Sequence, residues 1–334
     1  MAALALTVGI EKLEFSAPFR ITGFVFEHQD AVLVTLDDGR HRGRGEACGV
    51  FFLGERAEHM AAEIEAQRPS IERGIRRAEL QHLLPPGGAR NALDCALWEI
   101  EAQRAGKPVW ALAGLPEPKP LLTTFTLGAE APEVMAAGAR RWSQARALKV
   151  KLTGDLDLDG ARVSAVRRAR PDVWMGVDAN QAYTLEQLPR LIRILTDARV
   201  ELLEQPVARG HEPGLEDLVS PIPIAADESA LSLADVAGLA GRFDVVNIKL
   251  DKCGGLTEGL AMAHAAHAQG LKVMVGNMMG SSLAMAPAFV LGQLCEVVDL
   301  DGPTFLKHDR TPGVRYRGGM IECDEAVWGS ARLA

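Results

Sequence analysis

Charged side chains close short apolar segments at intervals of about 22 to 27 residues through the middle of this chain. Five such segments end at Lys149 and Lys151, Asp178, Glu204, Asp227 and Lys249. Apolar strands that recur at this interval leave room for a helix between each pair, which is the pattern of a βα barrel. Because the carboxyl ends of barrel strands meet at one face, the series predicts a shared site at that face.

Eight candidate strands follow a proline-rich linker at Pro116, Pro118 and Pro120. They cover residues 121–127, 147–152, 173–177, 200–203, 223–226, 245–250, 272–275 and 297–300. The expected fold class is therefore α/β, with a (β/α)7β TIM-like barrel over residues 117–304. Polar residues and a proline interrupt the apolar segment 278–294, which is expected to be a buried barrel helix rather than a membrane span.

The residues before the barrel follow a different pattern. The segment 32–36 and the turn residues Asp37-Asp38-Gly39 predict a β-hairpin, and residues 90–105 place apolar side chains at helical spacing. The last 30 or so residues are rich in glycine and contain no further strand–helix unit. We therefore expect an α+β capping domain of residues 1–116, completed by about 305–334.

Composition limits the possible partners and compartment. The net charge of −8 argues against a nucleic-acid partner, since binding phosphates requires clustered Lys and Arg. No uninterrupted apolar run is long enough to predict a membrane partner. Five cysteines without CxxC spacing predict reduced thiols, and therefore a cytoplasmic protein.

The carboxylates and lysines in the series suit one kind of chemistry. Asp178, Glu204 and Asp227 would lie side by side at the barrel mouth and offer the oxygen ligands that Mg²⁺ prefers. Taken singly, each could instead be a solvated strand end or a helix cap. Lys149 and Lys151 point the same way along their strand, and their repulsion should lower the pKa of one from its usual ~10.4.

Lys249 lies four strands on from Lys151, on the other side of the predicted metal. One lysine could then remove a proton from a carbon acid and the other could return one to the opposite face. A metal bound to the substrate carboxylate would stabilise the enediolate between the two transfers. This arrangement predicts a racemase or epimerase.

The ordered motifs resemble the enolase superfamily, and within it the muconate-lactonizing subgroup. The motifs are Lys149-Val-Lys151, Asp178-Ala-Asn180, Glu204-Gln-Pro206, Ala226-Asp-Glu-Ser229 and Asn247-Ile-Lys-Leu-Asp-Lys252. The resemblance implies Lys151 and Lys249 as acid/base catalysts, with Lys149 tuning Lys151 and holding the substrate carboxylate. It also implies one Mg²⁺ per subunit on the three carboxylates, with Asn180 and Glu228 in support.

The eighth strand resembles that of the dipeptide epimerases, especially the L-Ala-D/L-Glu epimerases. The similarity implies that Asp299 and Asp301 bind the substrate's α-ammonium and that Thr126 and Met278 line the pocket. That family usually offers a basic residue from the capping domain to the Glu side chain. Here Arg20 is the candidate, Phe24 stands near the position expected for such a residue, and the loop 50–53 is apolar.

The leading hypothesis is a Mg²⁺-dependent epimerase of L-Ala-D/L-Glu dipeptides that acts in degradation of cell-wall peptides, and a homo-oligomer is expected by analogy. One alternative is a dipeptide epimerase that takes another second residue. A second is a lyase on the same scaffold, of the cycloisomerase, dehydratase or succinylbenzoate synthase type. A third is a peptide-binding barrel without catalysis.

Overall fold

The computed structural model describes residues 3–332, which begin with a three-stranded antiparallel sheet. Its strands are β1 (Ala5–Ile21), β2 (Phe24–Asp37) and β3 (Arg42–Ala47). The predicted hairpin around Asp37–Gly39 is confirmed, since β2 pairs with β3 in antiparallel register. Strand β1 was not predicted. It pairs with β2 after a tight turn in which Gly23 takes a φ of +75°.

Helices cover one face of this sheet. They are α1 (Ala57–Ala66), α2 (Arg68–Glu72), α3 (Arg77–Leu83), α4 (Gly88–Ala105) and α5 (Val109–Leu112). The predicted helix at 90–105 is α4, which is buried along most of its length. It lies close against β3 because Gly43 and Gly45 have no side chains: a Cβ on either would lie 1.9 Å from a carbonyl oxygen of α4.

The barrel strands follow in the predicted order. After the short strand β4 (Leu121–Leu122), which lies outside the barrel sheet, they are β5 (Thr124–Leu127), β6 (Ala147–Lys151), β7 (Trp174–Asp178), β8 (Leu202–Glu204), β9 (Ile224–Ala226), β10 (Val245–Ile248), β11 (Lys272–Val275) and β12 (Val297–Val298). Strands β5 to β12 form one parallel sheet in sequence order, which confirms the predicted α/β barrel class. The Thr123 hydroxyl accepts a hydrogen bond from the Leu300 N–H at 2.9 Å, joining the first and last strands.

Further helices connect the barrel strands. They are α6 (Pro132–Arg141), α7 (Leu156–Ala169), α8 (Leu188–Asp197), α9 (Leu233–Val236), α10 (Leu250–Cys253), α11 (Leu256–Ala268) and α12 (Ser282–Gly292). The helix predicted at 278–294 is shorter than expected, because Met279 has a φ of +63°, which a right-handed helix does not allow. Met278 and Met279 therefore lie in the loop after β11. Within residues 3–332, no helix is both long and apolar enough to cross a membrane.

The chain's last segment contacts both regions. Strands β13 (Arg315–Arg317) and β14 (Met320–Glu322) form a hairpin, and β14 pairs with β4 beside the barrel. Farther on, the Val327 carbonyl accepts a hydrogen bond from Arg44 on β3 at 2.9 Å. This segment therefore connects the barrel to the N-terminal sheet.

Candidate active site

The register of the barrel places the charged strand ends side by side. Lys151 is the Cα partner of Asp178 across the β6–β7 pair, and Asp178 is the partner of Glu204 across β7–β8. Asp227 follows β9 directly, and Lys249 follows β10. Because parallel neighbours in register point their side chains to the same face, these groups all reach the barrel mouth.

Three buried carboxylates form the centre of this site. One oxygen each from Asp178, Glu204 and Asp227 lies within 4.8 Å of the others. Glu204 Oε2 is buried without a hydrogen-bond partner, whereas Oε1 accepts one from Asn247 Nδ2 at 2.7 Å. Burial, followed by the charge of Asp178, raises the pKa of Glu204 to about 8. A hard divalent cation suits this set, since it would occupy the unpartnered oxygen and offset the repulsion.

The two predicted acid/base lysines flank the carboxylates. Lys151 Nζ donates to Asp178 Oδ2 at 2.6 Å and to Asn180 Oδ1 at 3.1 Å. Lys249 Nζ donates to Asp227 Oδ2 at 2.7 Å. Burial favours the neutral amine of Lys249, but the nearby carboxylates of Asp227 and Glu204 outweigh burial and raise its pKa.

Lys149 has a different environment from the one expected. Its ammonium forms a short ion pair with Asp299 and lies 3.6 Å from Glu204 and 3.9 Å from Asp178. Burial lowers its pKa, but these three carboxylates outweigh burial, so the pKa is raised well above the usual value. The expected lowering by a second lysine therefore does not apply to Lys149.

Lys252 belongs to the site although its role was not predicted. Its side chain is buried, and Nζ donates to Asp227 Oδ1 at 2.6 Å and to the Asn247 carbonyl at 3.0 Å. Burial lowers the pKa of this lysine. The residue lies on α10, three positions after Lys249, so its side chain returns to the metal-ligand carboxylate from behind. The sequence signal that could have identified Lys252 as a site residue was its place in the motif Leu250-Asp-Lys252.

The two aspartates predicted on the eighth strand, Asp299 and Asp301, lie just after β12, which is shorter than predicted, at the point where the barrel closes. Asp299 accepts from the Thr124 hydroxyl at 2.5 Å as well as from Lys149. Asp301 Oδ2 accepts from the Thr126 N–H at 2.6 Å. Burial, and then the charge of Asp299, raises the pKa of Asp301 to about 6. Asp299 is thus neutralised by Lys149, whereas the hydrogen-bond donors to Asp301 among residues 3–332 are neutral.

Asn180 and Glu228 support the carboxylates from the side. Asn180 donates from Nδ2 to Glu228 Oε1 at 3.3 Å, and its N–H donates to Asp178 Oδ1 at 2.9 Å. Burial, followed by the charge of Asp227, raises the pKa of Glu228 to about 7. These contacts fix the position of Asp178 relative to Lys151.

A cavity with apolar upper walls lies above these groups. Thr126 and Met278, both predicted to line a pocket, are among its lining residues. Its apolar residues come from the capping domain and from the barrel loops: Phe19, Ile21, Phe51, Phe52, Met278, Met279 and Phe305. We call the capping-domain aromatic cluster of Phe24, Phe26, Phe51 and Phe52 the aromatic roof; its ring centroids are 4.9 to 6.0 Å apart.

Arg20 is not among the residues that line this cavity. Strand alternation turns Phe19 and Ile21 inward and Arg20 outward, into a neighbouring groove. There Nε forms an ion pair with Glu130 Oε1 at 2.9 Å, and the Arg20 side chain is 49% exposed. The structure therefore does not bring Arg20 together with the other predicted site residues.

The fold and the site define a class of enzyme, namely a βα barrel in which buried lysines flank three carboxylates that could hold a metal ion. Two family models match the chain. Residues 5–114 match the mandelate racemase / muconate lactonizing enzyme N-terminal domain, and residues 131–326 match the enolase C-terminal domain-like family. The chain belongs to this family, which confirms the predicted resemblance to the enolase superfamily.

Several relatives within the family are dipeptide epimerases. The chain is 39% identical over 304 residues to the L-Ala-D/L-Glu epimerase of Escherichia coli K12, covering 91% of this chain and 95% of that protein. An enolase family member from Agrobacterium tumefaciens with homology to dipeptide epimerases, bound to sodium and L-Ala-L-Glu, has a TM-score of 0.94 and 38% identity, covering 98% of this chain and all of that one.

A third relative binds a different dipeptide. The dipeptide epimerase of Enterococcus faecalis V583, complexed with Mg and L-Leu-L-Tyr, has a TM-score of 0.91 and 28% identity and covers 99% of both chains. Together these relatives confirm the predicted enzyme class, an isomerase of the racemase and epimerase group. They also confirm the predicted magnesium cofactor, for which the buried carboxylates of this chain are suitable ligands.

Proposed function

We propose that this protein is a Mg²⁺-dependent dipeptide epimerase that inverts the α-carbon of the C-terminal residue by a 1,1-proton transfer between two lysines. One observation carries the proposal. Lys151 ends β6 and Lys249 directly follows β10, four strands apart in the barrel, and both line the same cavity. The carboxylates that suit a metal lie between them.

The residues at the closure of the barrel would bind the substrate's free amino group. Asp301 lines the cavity and has no cationic partner among the described residues, whereas Asp299 is paired with Lys149. An ammonium entering this buried place gains a charge-assisted hydrogen bond, and its charge favours the ionised form of Asp301. Asp301 is therefore the proposed acceptor, and Asp299 holds Lys149 in place.

The two lysines would move the protons. Asp178, Glu204 and Asp227 would hold Mg²⁺, which would supply Lewis-acid stabilisation of the negative charge that develops on the substrate carboxylate. Lys151 or Lys249, as the neutral amine, takes the α-proton from one face, and the other lysine, as the ammonium, returns a proton to the opposite face. The carboxylates that raise the pKa of Lys249 are the proposed metal ligands, so a bound cation weakens the cause of that raised pKa.

The second residue of the dipeptide has two candidates. Glutamate is the expected one and is bound by the Agrobacterium relative. Among residues 3–332, however, the cations that line the cavity are Lys149, Lys151 and Lys249, each of which contacts buried carboxylates. The upper walls are apolar, as described above. We therefore propose an apolar second residue, in line with the L-Leu-L-Tyr bound by the Enterococcus relative.

Proton NMR in D₂O tests both parts of the proposal. The protein would be incubated with Mg²⁺ and either L-Ala-L-Leu, L-Ala-L-Phe or L-Ala-L-Glu, with a chelator as control. We expect loss of the second residue's α-proton signal, a new diastereomer, and faster conversion of the two apolar dipeptides. No exchange with any dipeptide would overturn the epimerase, whereas faster conversion of L-Ala-L-Glu would overturn only the apolar preference.

The cellular role is a further part of the proposal. We propose a cytoplasmic enzyme that acts on dipeptides released during degradation of cell-wall peptides. Unpaired thiols at all five cysteines support a reducing compartment. We also propose a homo-oligomer, by analogy with barrels of this type, and the sedimentation coefficient of the purified protein would test it.

A further inference from the structure

The aromatic roof depends on how one short segment is held. Residues 48–55 leave β3 and form a 3₁₀ turn, Phe51–Leu53, which brings two aromatic side chains to the cavity. The three N–H groups at the start of this segment donate to carboxylates. Those of Cys48 and Gly49 donate to Asp251 Oδ1 at 2.7 and 3.0 Å, and that of Val50 donates to Glu55 Oε2 at 2.8 Å.

Glu55 joins the segment to the N-terminus of a long helix. Its other oxygen, Oε1, accepts from the Gly88 N–H at 2.9 Å, at the first turn of α4. The unpaired N–H groups and the dipole of a helix N-terminus favour a carboxylate there. The fit is close, because a Cβ on Gly87 would lie 2.6 Å from Oε1 and a Cβ on Gly49 would lie 3.3 Å from Oε2.

Asp251 joins the same segment to the catalytic strand. It is buried on α10, two residues after Lys249, and both of its bonds to the segment use one oxygen. The segment is therefore held from two directions. Asp251 holds it to the barrel below, and Glu55 holds it to the capping domain beside it.

We infer that Asp251 and Glu55 are positioning residues that hold Phe51 and Phe52 over the cavity, and thereby set substrate affinity and side-chain preference. This inference rests on the proposed function for its kinetic consequences. Neither carboxylate lines the cavity, so neither contacts the substrate. Their removal should therefore weaken binding more than it slows proton transfer.

The two carboxylates call for different substitutions. In Glu55 each oxygen accepts one N–H, so Glu55→Gln leaves an amide NH₂ facing a donor. In Asp251 one oxygen accepts both bonds, so Asp251→Asn retains the geometry and Asp251→Ala removes it. For Glu55→Gln and Asp251→Ala we expect KM for L-Ala-L-Leu to rise roughly tenfold, as for loss of a hydrogen bond to a charged group, with kcat changed less than about threefold. Asp251→Asn should restore KM to near the wild-type value.

Alkylation of Cys48 measures the position of the segment without an activity assay. Its thiol is buried at the base of the segment, while Cys95 and Cys253 are buried elsewhere. Iodoacetamide labelling, followed peptide by peptide by mass spectrometry, should be roughly tenfold faster at Cys48 in Glu55→Gln and Asp251→Ala. In these variants the segment can open locally without first breaking the hydrogen bonds to the substituted carboxylate. Labelling of Cys95 and Cys253 should stay at the wild-type rate.

Asp94→Asn is the matched control. Asp94 is also a buried carboxylate between the capping domain and the barrel, and it accepts from the Thr257 N–H at 2.9 Å, but it contacts no residue of the segment 48–55. It should lower the thermal midpoint without changing KM or Cys48 labelling. If Glu55→Gln and Asp251→Ala behave as Asp94→Asn does, the inference is overturned. If the wild type converts no dipeptide, the proposed function fails, and Cys48 labelling still decides the positioning role.

Discussion

The floor and the roof of the cavity are built in opposite ways. The floor consists of buried charged side chains at or next to the ends of barrel strands, and both proposed acid/base lysines are in contact with a carboxylate. The roof consists of aromatic side chains of the capping domain, Phe24 and Phe26 at the start of β2 and Phe51 and Phe52 in the turn after β3, and it is partly open to solvent, with Phe24 45% exposed. Floor positions follow from the register of the barrel sheet, whereas the roof depends on how the turn after β3 places Phe51 and Phe52 against β2.

This difference separates chemistry from selectivity. Removing one charge of the floor leaves its partner buried and unpaired, which costs about 3–5 kcal/mol, so floor residues depend on one another. Roof side chains contribute through buried apolar area, in smaller and more independent amounts. We therefore expect floor substitutions to abolish the reaction and roof substitutions to change which dipeptide is used.

The largest expected effect is loss of either acid/base lysine. Lys151→Ala and Lys249→Ala should each lower the epimerisation rate by about 10²–10⁴-fold, the usual contribution of a positioned acid or base. Each variant retains one lysine and therefore should still exchange the α-proton of one diastereomer with D₂O. NMR of both L-Ala-L-Leu and L-Ala-D-Leu distinguishes the two faces.

Lys307→Ala is the control for this experiment, because Lys307 lies at the surface and pairs with Glu14 at 3.3 Å. It should exchange and epimerise at the wild-type rate. Full epimerase activity in either Lys151→Ala or Lys249→Ala would show that a single base suffices, and the assignment of one lysine to each face would be wrong.

The carboxylates of the proposed metal site should make the stability of the protein depend on pH. In the folded protein the pKa of Glu204 is raised from 4.5 to about 8, first by burial and then by Asp178. Such a group contributes stability that is fully present below pH 4.5 and is lost as the pH rises through about 8. With a chelator present, the thermal midpoint should therefore fall across this range, and excess Mg²⁺ should oppose the fall because it binds only the folded state.

Glu204→Gln has no group that titrates at this position, so its thermal midpoint should change less with pH over the same range. Calorimetry of both proteins with and without Mg²⁺ measures the effect. Identical curves for the wild type in Mg²⁺ and in chelator would contradict the assignment of Glu204 as a metal ligand.

The same contrast explains how far the sequence could predict the structure. The eight barrel strands were predictable because they are short apolar runs, and the charged floor was predictable because the strands that carry it end at or next to a charged residue, as in residues 202–204. Lys252 was missed because it returns to Asp227 from a short helix rather than from a strand end. The roof could not be derived, since Phe51 meets Phe24 and Phe26 of β2 only through the turn after β3, whose conformation depends on tertiary contacts.

A smaller effect is expected from shortening the roof. Phe51→Ala should raise KM for L-Ala-L-Leu and L-Ala-L-Phe by roughly tenfold, since a buried Phe side chain contributes about 1.5–3 kcal/mol, and should leave kcat nearly unchanged. Leu53→Ala is the matched control in the same turn, because Leu53 does not line the cavity. An equal rise of KM for L-Ala-L-Glu would mean that Phe51 does not select apolar side chains.

The smallest expected effect concerns Arg20, the one cation of the capping domain that was predicted to bind a glutamate side chain. It lies outside the cavity and is paired with Glu130, and exposed ion pairs contribute only about 0–1 kcal/mol. Arg20→Ala and Glu130→Ala should therefore each change kcat/KM by less than about twofold for every dipeptide tested. A rise of KM confined to L-Ala-L-Glu in Arg20→Ala would show that Arg20 leaves Glu130 to bind the substrate. The roof would then supply a cation as well as apolar walls, and glutamate would again be the preferred second residue.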